Sequence, residues 1–179
     1  MDGITEIRVH GRGGQGAVTT AELIAIAAFK DGKFSQAMPN FGPERRGSPV
    51  EAYCRLSGEF IMLRTQVYGP DYVIVLDDSL PGVVDITRGL AKGGMVLINS
   101  EEKKKFGAFA THTLDANKIA MEVLGKPIVN TVMLGAFAKA TRLVSLGSLL
   151  QAVEERFEDG GIKEKNMLAI KKAYEETKA

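Results

Sequence analysis

Three short stretches hold residues whose types and spacing could do chemistry. The first, Gly11-Arg12-Gly13-Gly14-Gln15-Gly16, follows the alternating run 4–10 and opens a helical pattern at Ala17. It satisfies G-x-G-x-x-G, the spacing at which a strand turns into a helix and leaves backbone N–H groups facing a phosphate. Glycines are needed because side chains would keep that phosphate from the backbone. A nicotinamide or flavin dinucleotide site also needs an acid about 20 residues further on, at the end of the second strand, for the ribose hydroxyls. The region that should carry it reads Phe34-Ser35-Gln36-Ala37-Met38 and has no carboxylate. A Walker A loop is excluded too, since no Lys-Ser or Lys-Thr follows the glycines. Two readings stay open: a tight structural turn, or a site where Gly13, Gly14, Gln15 and Gly16, with Arg12 beside them, meet a phosphate or a partner.

The second stretch, 38–53, is rich in Pro and Gly and holds Arg45-Arg46 between Gly42-Pro43 and Gly47. A stiff loop suits guanidinium groups that meet phosphates or carboxylates bidentately, while a solvated charge cluster with Glu44 is the alternative. The third, Asp77-Asp78, ends an apolar strand just before Ser79 and Pro81, so capping of the next element is expected ahead of metal binding or catalysis. His10 and His112 have no evident nucleophile or metal partner and read as local structure, and Lys103-Lys104-Lys105 reads as a solvated run. No self-sufficient catalytic constellation emerges.

The elements that must position these residues follow from periodicity. A strand through Ile7 and Val9 leads into the glycine turn, and the helix from Ala17 is apolar on nearly every side from Leu23 to Phe29, so several neighbours must cover it. Gly32 ends it, and 33–39 reads as a short strand or an extended segment. From Pro49 the alternation places Val50, Ala52, Cys54 and Leu56 on one face and Glu51, Tyr53, Arg55 and Ser57 on the other, making Cys54 a small core residue. Ser57-Gly58-Glu59 predicts a hairpin turn into a strand at 60–63. The run 71–78 predicts a strand covered on both faces, 79–94 a helix, 95–100 a further strand, and 108–114 a weaker one before a helix at 115–125. Beyond Pro127 three helices are expected, the second opened by a capping box at Ser148 and Gln151, the third with a stripe of Met167, Ile170 and Tyr174. The fold class is α/β, a three-layer doubly wound mixed sheet, mainly parallel with an antiparallel hairpin, and a helical C-terminal region. One domain spanning 1–179 is expected.

Composition narrows the function classes. With 45 % hydrophobic and 25 % charged residues the chain reads as a soluble globular protein, and no run approaches the roughly 18 apolar residues of a membrane span. The N-terminus lacks the pattern of a signal peptide, so a cytoplasmic location is expected. A net charge of +1 from 23 basic and 22 acidic residues argues against nucleic acid as a partner. One cysteine and two histidines exclude an internal disulfide, an all-cysteine iron–sulfur site and the usual cysteine/histidine zinc site. Any redox centre lies on another chain.

Three separated stretches, in order, resemble one family: 6–25, "EIRVHGRGGQGAVTTAELIA"; 33–57, "KFSQAMPNFGPERRGSPVEAYCRLS"; and 129–157, "VNTVMLGAFAKATRLVSLGSLLQAVEERF". They are similar to the gamma subunit of the 2-oxoacid:ferredoxin oxidoreductases, particularly the pyruvate enzymes, and Ser48 departs mildly from a Gly or Ala common there. The resemblance implies a subunit, inactive alone, of a complex that converts a 2-oxoacid, CoA and oxidised ferredoxin to acyl-CoA, carbon dioxide and reduced ferredoxin, or the reverse. It implies alpha, beta and delta partner subunits holding thiamine diphosphate, magnesium and iron–sulfur clusters, with ferredoxin met through the complex. It assigns no catalytic residue and no bound cofactor to this chain alone. CoA, with its diphosphate and 3′-phosphate, becomes the expected ligand at a subunit interface, with Arg45, Arg46 and Gly47 as first candidates and Gly13, Gly14, Gln15 and Gly16 as second. The gamma subunit of a 2-oxoisovalerate or 2-oxoglutarate enzyme, a purely structural subunit and a dinucleotide-dependent oxidoreductase are the alternatives.

Overall fold

The computed structural model describes residues 3–39 and 46–178. Alternation and apolar runs produce six strands: β1 (Ile4–Arg12), β2 (Phe34–Pro39), β3 (Pro49–Ser57), β4 (Tyr72–Val75), β5 (Met95–Asn99) and β6 (Ala110–Leu114). They form one sheet in the order β2-β3-β1-β4-β5-β6. β3 runs antiparallel to both β1 and β2, whereas β1, β4, β5 and β6 are mutually parallel. The expected strand at 60–63 is absent, and the hairpin partner of β3 is the preceding strand β2. Both edges of β3 are already occupied, with Cys54 opposite Ile7 on one side and Ala37 on the other, so no free edge remains for a further strand.

The side-chain period of two splits the core between the faces. Ile7, Val9, Ala52, Cys54, Leu56, Ile74 and Leu97 pack against the helices, and burial raises the Cys54 thiol far above its ordinary pKa. The helices are α1 (Ala17–Lys30), α2 (Ala116–Leu124), α3 (Asn130–Thr141), α4 (Leu146–Arg156) and α5 (Gly160–Glu176). α1 is covered by β2, β3, α3 and α4, as its nearly uniform apolarity demands. α3 is buried from Asn130 to Ala138 and lies tight on α5, where a Cβ on Gly135 would come within 2.1 Å of the Ile170 carbonyl oxygen. α4 starts earlier than the expected Ser148 box. Ser145 is the N-cap, its hydroxyl accepts from the Ser148 N–H, and Asp31 at the end of α1 accepts from Ser145 and Ser148.

The other face has a different cover. Val73, Val75, Val96 and Ile98 pack under Leu80, Ile86 and Leu90, so a third layer exists, but the expected helix over 79–94 reduces to a 3-10 turn at Leu80–Gly82 followed by further turns. Gly82 and Gly89 disfavour a continuous helix, and Asp85 accepts from the Thr87 N–H and hydroxyl in a local turn. Two fully buried arginines tie irregular backbone to the sheet instead. Arg8 donates to the carbonyls of Ile86 (3.0 Å) and Arg88 (2.7 Å), and Arg55 donates to Glu6 (2.7 Å) and to the Gln66 carbonyl (3.1 Å). The Ile86 and Arg88 carbonyls, which a helix over 79–94 would have used within itself, are spent on the buried Arg8 guanidinium.

Candidate functional site

The parallel strands end at one edge, and there the topology opens a crevice. β1 leads through α1 to β2 on one side, while β4 lies on its other side, so the point where the connections part falls between β1 and β4. Ligands of open α/β sheets bind at such points, outside the carboxyl ends of the strands. A cavity of about 200 Å³ lies there, lined by Gly14 and Gln15 after β1, Asp77 and Asp78 after β4, Asn99 at the end of β5, and Val129 before α3.

The glycine turn forms its wall, and side chains from three stretches hold it. Gln15 Oε1 accepts from the Arg12 N–H (2.7 Å) and its Nε2 donates to Asp77 Oδ2 (2.7 Å). Arg12 donates to the Gly47 carbonyl (3.0 Å) and to Ser79 Oγ (2.6 Å), and its Nε lies 3.3 Å from Asp77. Asp77 Oδ1 accepts from the Ser79 N–H and hydroxyl. Instead of capping the next element, whose N-cap is Ser79 and which no side chain caps, Asp77 closes a local turn onto Ser79, and the same carboxylate anchors the glycine turn. Burial raises the Asp77 pKa, but hydrogen bonds from Ser79 and Gln15 and the Arg12 charge outweigh it and hold the carboxyl below its usual range. This link joins residues far apart in sequence, so no local pattern could have revealed it.

The second loop meets the first through its backbone. Gly13 N–H donates to the Ser48 carbonyl (2.9 Å) and Gly47 N–H to the Gly13 carbonyl (3.2 Å), which puts exposed Arg46 beside the turn. The departure at Ser48 is harmless to this contact because its carbonyl, not its side chain, is used. Arg45 lies outside the described residues.

What the wall offers is amide N–H. Gly16, at φ +82°, is the N-cap of α1, no side chain caps that helix, and its first turn has no acid. A Cβ on Gly16 would come within 2.5 Å of Asn130 Nδ2, so only glycine allows α1 and α3 to start side by side. α3 likewise begins without a side-chain cap, and Val129 at its N-cap lines the same cavity. Two helices thus begin side by side next to this cavity without a side-chain cap, each presenting the positive end of its dipole there.

The other candidates are occupied structurally. His10 is buried, accepts from Arg8 Nε on Nε2 (2.9 Å), and lies 3.7 Å from Glu51. Desolvation, aided by the neighbouring Arg8 and only partly countered by Glu51, lowers its pKa to about 4. His112 Nδ1 lies 3.0 Å from the Lys178 carbonyl oxygen, and Lys104 pairs with Glu102. Among the described residues no group of three or more His, Cys, Asp or Glu could hold a metal ion, and no helix is long and apolar enough to cross a membrane.

Comparison with known proteins bears on this arrangement. The family model for pyruvate ferredoxin/flavodoxin oxidoreductase matches residues 6–176. The chain belongs to this family. It is 56 % identical over 171 residues to the pyruvate synthase subunit PorC of Methanothermobacter thermautotrophicus, covering 96 % of this chain and 94 % of that one. It is 51 % identical to the common gamma subunit of the pyruvate/ketoisovalerate oxidoreductases of Thermococcus kodakarensis, covering 96 % of each. Among solved structures, the pyruvate oxidoreductase subunit PORC of Thermotoga maritima aligns with a TM-score of 0.86 at 34 % identity, covering 99 % of this chain and 98 % of that one. A 2-oxoglutarate:ferredoxin oxidoreductase from Magnetococcus marinus, solved with 2-oxoglutarate, coenzyme A and succinyl-CoA bound, shares the fold at a TM-score of 0.76 and 18 % identity. The alignment covers 97 % of this chain but 31 % of that one. As a member of the pyruvate ferredoxin/flavodoxin oxidoreductase family the chain is a gamma-type subunit of a multi-subunit enzyme of the pyruvate synthase kind. Its G-x-G-x-x-G turn is therefore not the mark of a free-standing dinucleotide enzyme.

Proposed function

We propose that this chain supplies part of the CoA site of its complex, binding phosphate groups at the glycine turn and the adjoining arginine loop. The observation that carries this reading is the convergence of two uncapped helix N-termini on one small cavity at the carboxyl edge of the sheet. A cavity of about 200 Å³ is smaller than the roughly 300–1,000 Å³ that encloses a whole drug-sized ligand, so it suits one end of CoA and leaves the rest to partner chains. In this reading the amides of Gly14, Gly16 and Ala17 meet phosphate oxygens, and Arg45 and Arg46 add charge-assisted bonds from the neighbouring loop. Gln15 and Arg12 act indirectly, because Gln15 is engaged at both ends within the site and Arg12 is held by Gly47, Ser79 and Asp77. The chain's own chemistry is then to bind and orient a co-substrate, while thiamine diphosphate, magnesium, the iron–sulfur clusters and the contact with ferredoxin belong to alpha, beta and delta subunits.

The test is kinetic and uses the assembled complex. Replacing Arg45→Ala with Arg46→Ala raises the apparent KM for CoA by about 10- to 100-fold, the equivalent of losing charged hydrogen bonds of roughly 1.5–3 kcal/mol, while CoA-independent decarboxylation persists. An unchanged KM in a complex that still assembles contradicts the assignment and leaves a purely structural subunit. Pyruvate is the first substrate expected. The similarity to a subunit common to pyruvate and ketoisovalerate enzymes favours a second reading, in which one chain that binds only CoA serves more than one 2-oxoacid enzyme. Rates of the purified complexes with pyruvate, 2-oxoisovalerate and 2-oxoglutarate decide between them.

A further inference from the structure

A larger cavity, of about 600 Å³, lies among the helices and is not used by the reading above. Leu124, Phe157 and Ile162 give it an apolar lining, and Lys126, Arg156 and Lys165 bring three cations to it. All three are exposed, and none makes an ion pair among the described residues. The one acid in the lining, Asp159, is engaged as the N-cap of α5, accepting from the Ile162 N–H (3.0 Å). The wall also contains Asn130, in the first turn of the uncapped helix α3. It is more than nine-tenths buried, and its Oδ1 has no hydrogen-bond partner among the described residues. A buried amide oxygen without a donor costs free energy, and native structures rarely leave one so.

Taken together, the volume is that of a ligand pocket, the charge is positive, the lining is apolar, and one buried acceptor waits for a donor. We propose that this cavity is a second ligand site, for a small organic anion with an apolar body and an N–H or O–H group that donates to Asn130. Its acidic end sits against Lys126, Arg156 and Lys165, and its apolar body covers Phe157 and Ile162. Asn130 packs against Gly16, so occupancy of this site bears directly on the start of α1 and on the glycine turn.

Anilinonaphthalene sulfonate carries all three features, an anion, an aromatic body and an N–H, and serves as the probe. Titration of the full chain, followed by dye fluorescence and by amide shifts in nuclear magnetic resonance, gives saturable one-to-one binding with shifts centred on 124–130 and 156–166. Arg156→Glu with Lys165→Glu weakens it at least about tenfold, as loss of charge-assisted contacts requires, whereas Phe60→Ser, which removes an exposed apolar side chain elsewhere, leaves it unchanged. Its N-methylated derivative, which keeps the anion and both aromatic parts but lacks the N–H, binds more weakly. Unchanged affinity in the double variant, shifts centred elsewhere, or equal affinity for the two dyes overturns the proposal. So does loss of dye binding when the chain is assembled with its partner subunits, because the cavity is then a subunit contact. None of these measurements involves CoA, so the two sites stand or fall separately.

Discussion

His10 shows what a single residue does here and why its role was only half visible. Without a nucleophile or metal partner in the sequence it reads as local structure, and it is indeed sealed between Arg8 and Glu51, partners no local pattern names, on the sheet face away from the helices. Burial lowers its pKa from 6.5 to about 4, so between those values the unfolded chain binds a proton that the folded chain does not. Stability therefore falls as pH drops from about 6.5 towards 4, by a total of about 3 kcal/mol at most. His10→Gln keeps an acceptor for Arg8 without titrating, and denaturant unfolding across this range is expected to show a flatter pH dependence in the variant. Asp77 is the other residue whose part only the folded chain discloses. Asp77→Ala leaves Arg12 and Gln15 without their carboxylate, and a loss of about 1–3 kcal/mol in unfolding free energy is expected, with a raised KM for CoA in the complex. By contrast, the buried position of Cys54 was legible outright, because strict alternation through Val50, Ala52, Cys54 and Leu56 admits one assignment of faces.

At the scale of elements, periodicity located all five α-helices that the structure describes and all six of its strands, and misjudged 79–94 and 60–63. In 79–94 the glycines and the Asp85 turn act locally and buried Arg8 takes the carbonyls of 86 and 88, while at 60–63 β1 and β2 occupy both edges of β3 and Gln36 takes the Ile61 carbonyl. Local propensity contains no information about the distant partners. The pairing of α3 with α5 makes the strongest mechanical prediction at this scale. Gly135→Ala drives a Cβ into the Ile170 carbonyl oxygen, and because that atom is backbone, one helix must move. An unfolding free energy lower by more than about 3 kcal/mol is expected, measurable by urea titration.

For the whole molecule, the sheet order and the fold decide where chemistry can happen. Three parallel strands end at one crevice, two helices begin there without caps, and the loop before β3 crosses to meet the turn. The strand–glycine turn–helix arrangement was legible from its spacing, while Asp77, which holds the turn through Gln15 and Arg12, and Asn130, which packs against Gly16, come from distant parts of the chain. The most direct measurement is amide hydrogen exchange at the turn in the assembled complex, with and without CoA. CoA is expected to slow exchange in a peptide spanning 11–18, because those amides then donate to phosphate. Unaltered exchange there, at CoA concentrations that saturate turnover, would contradict the account.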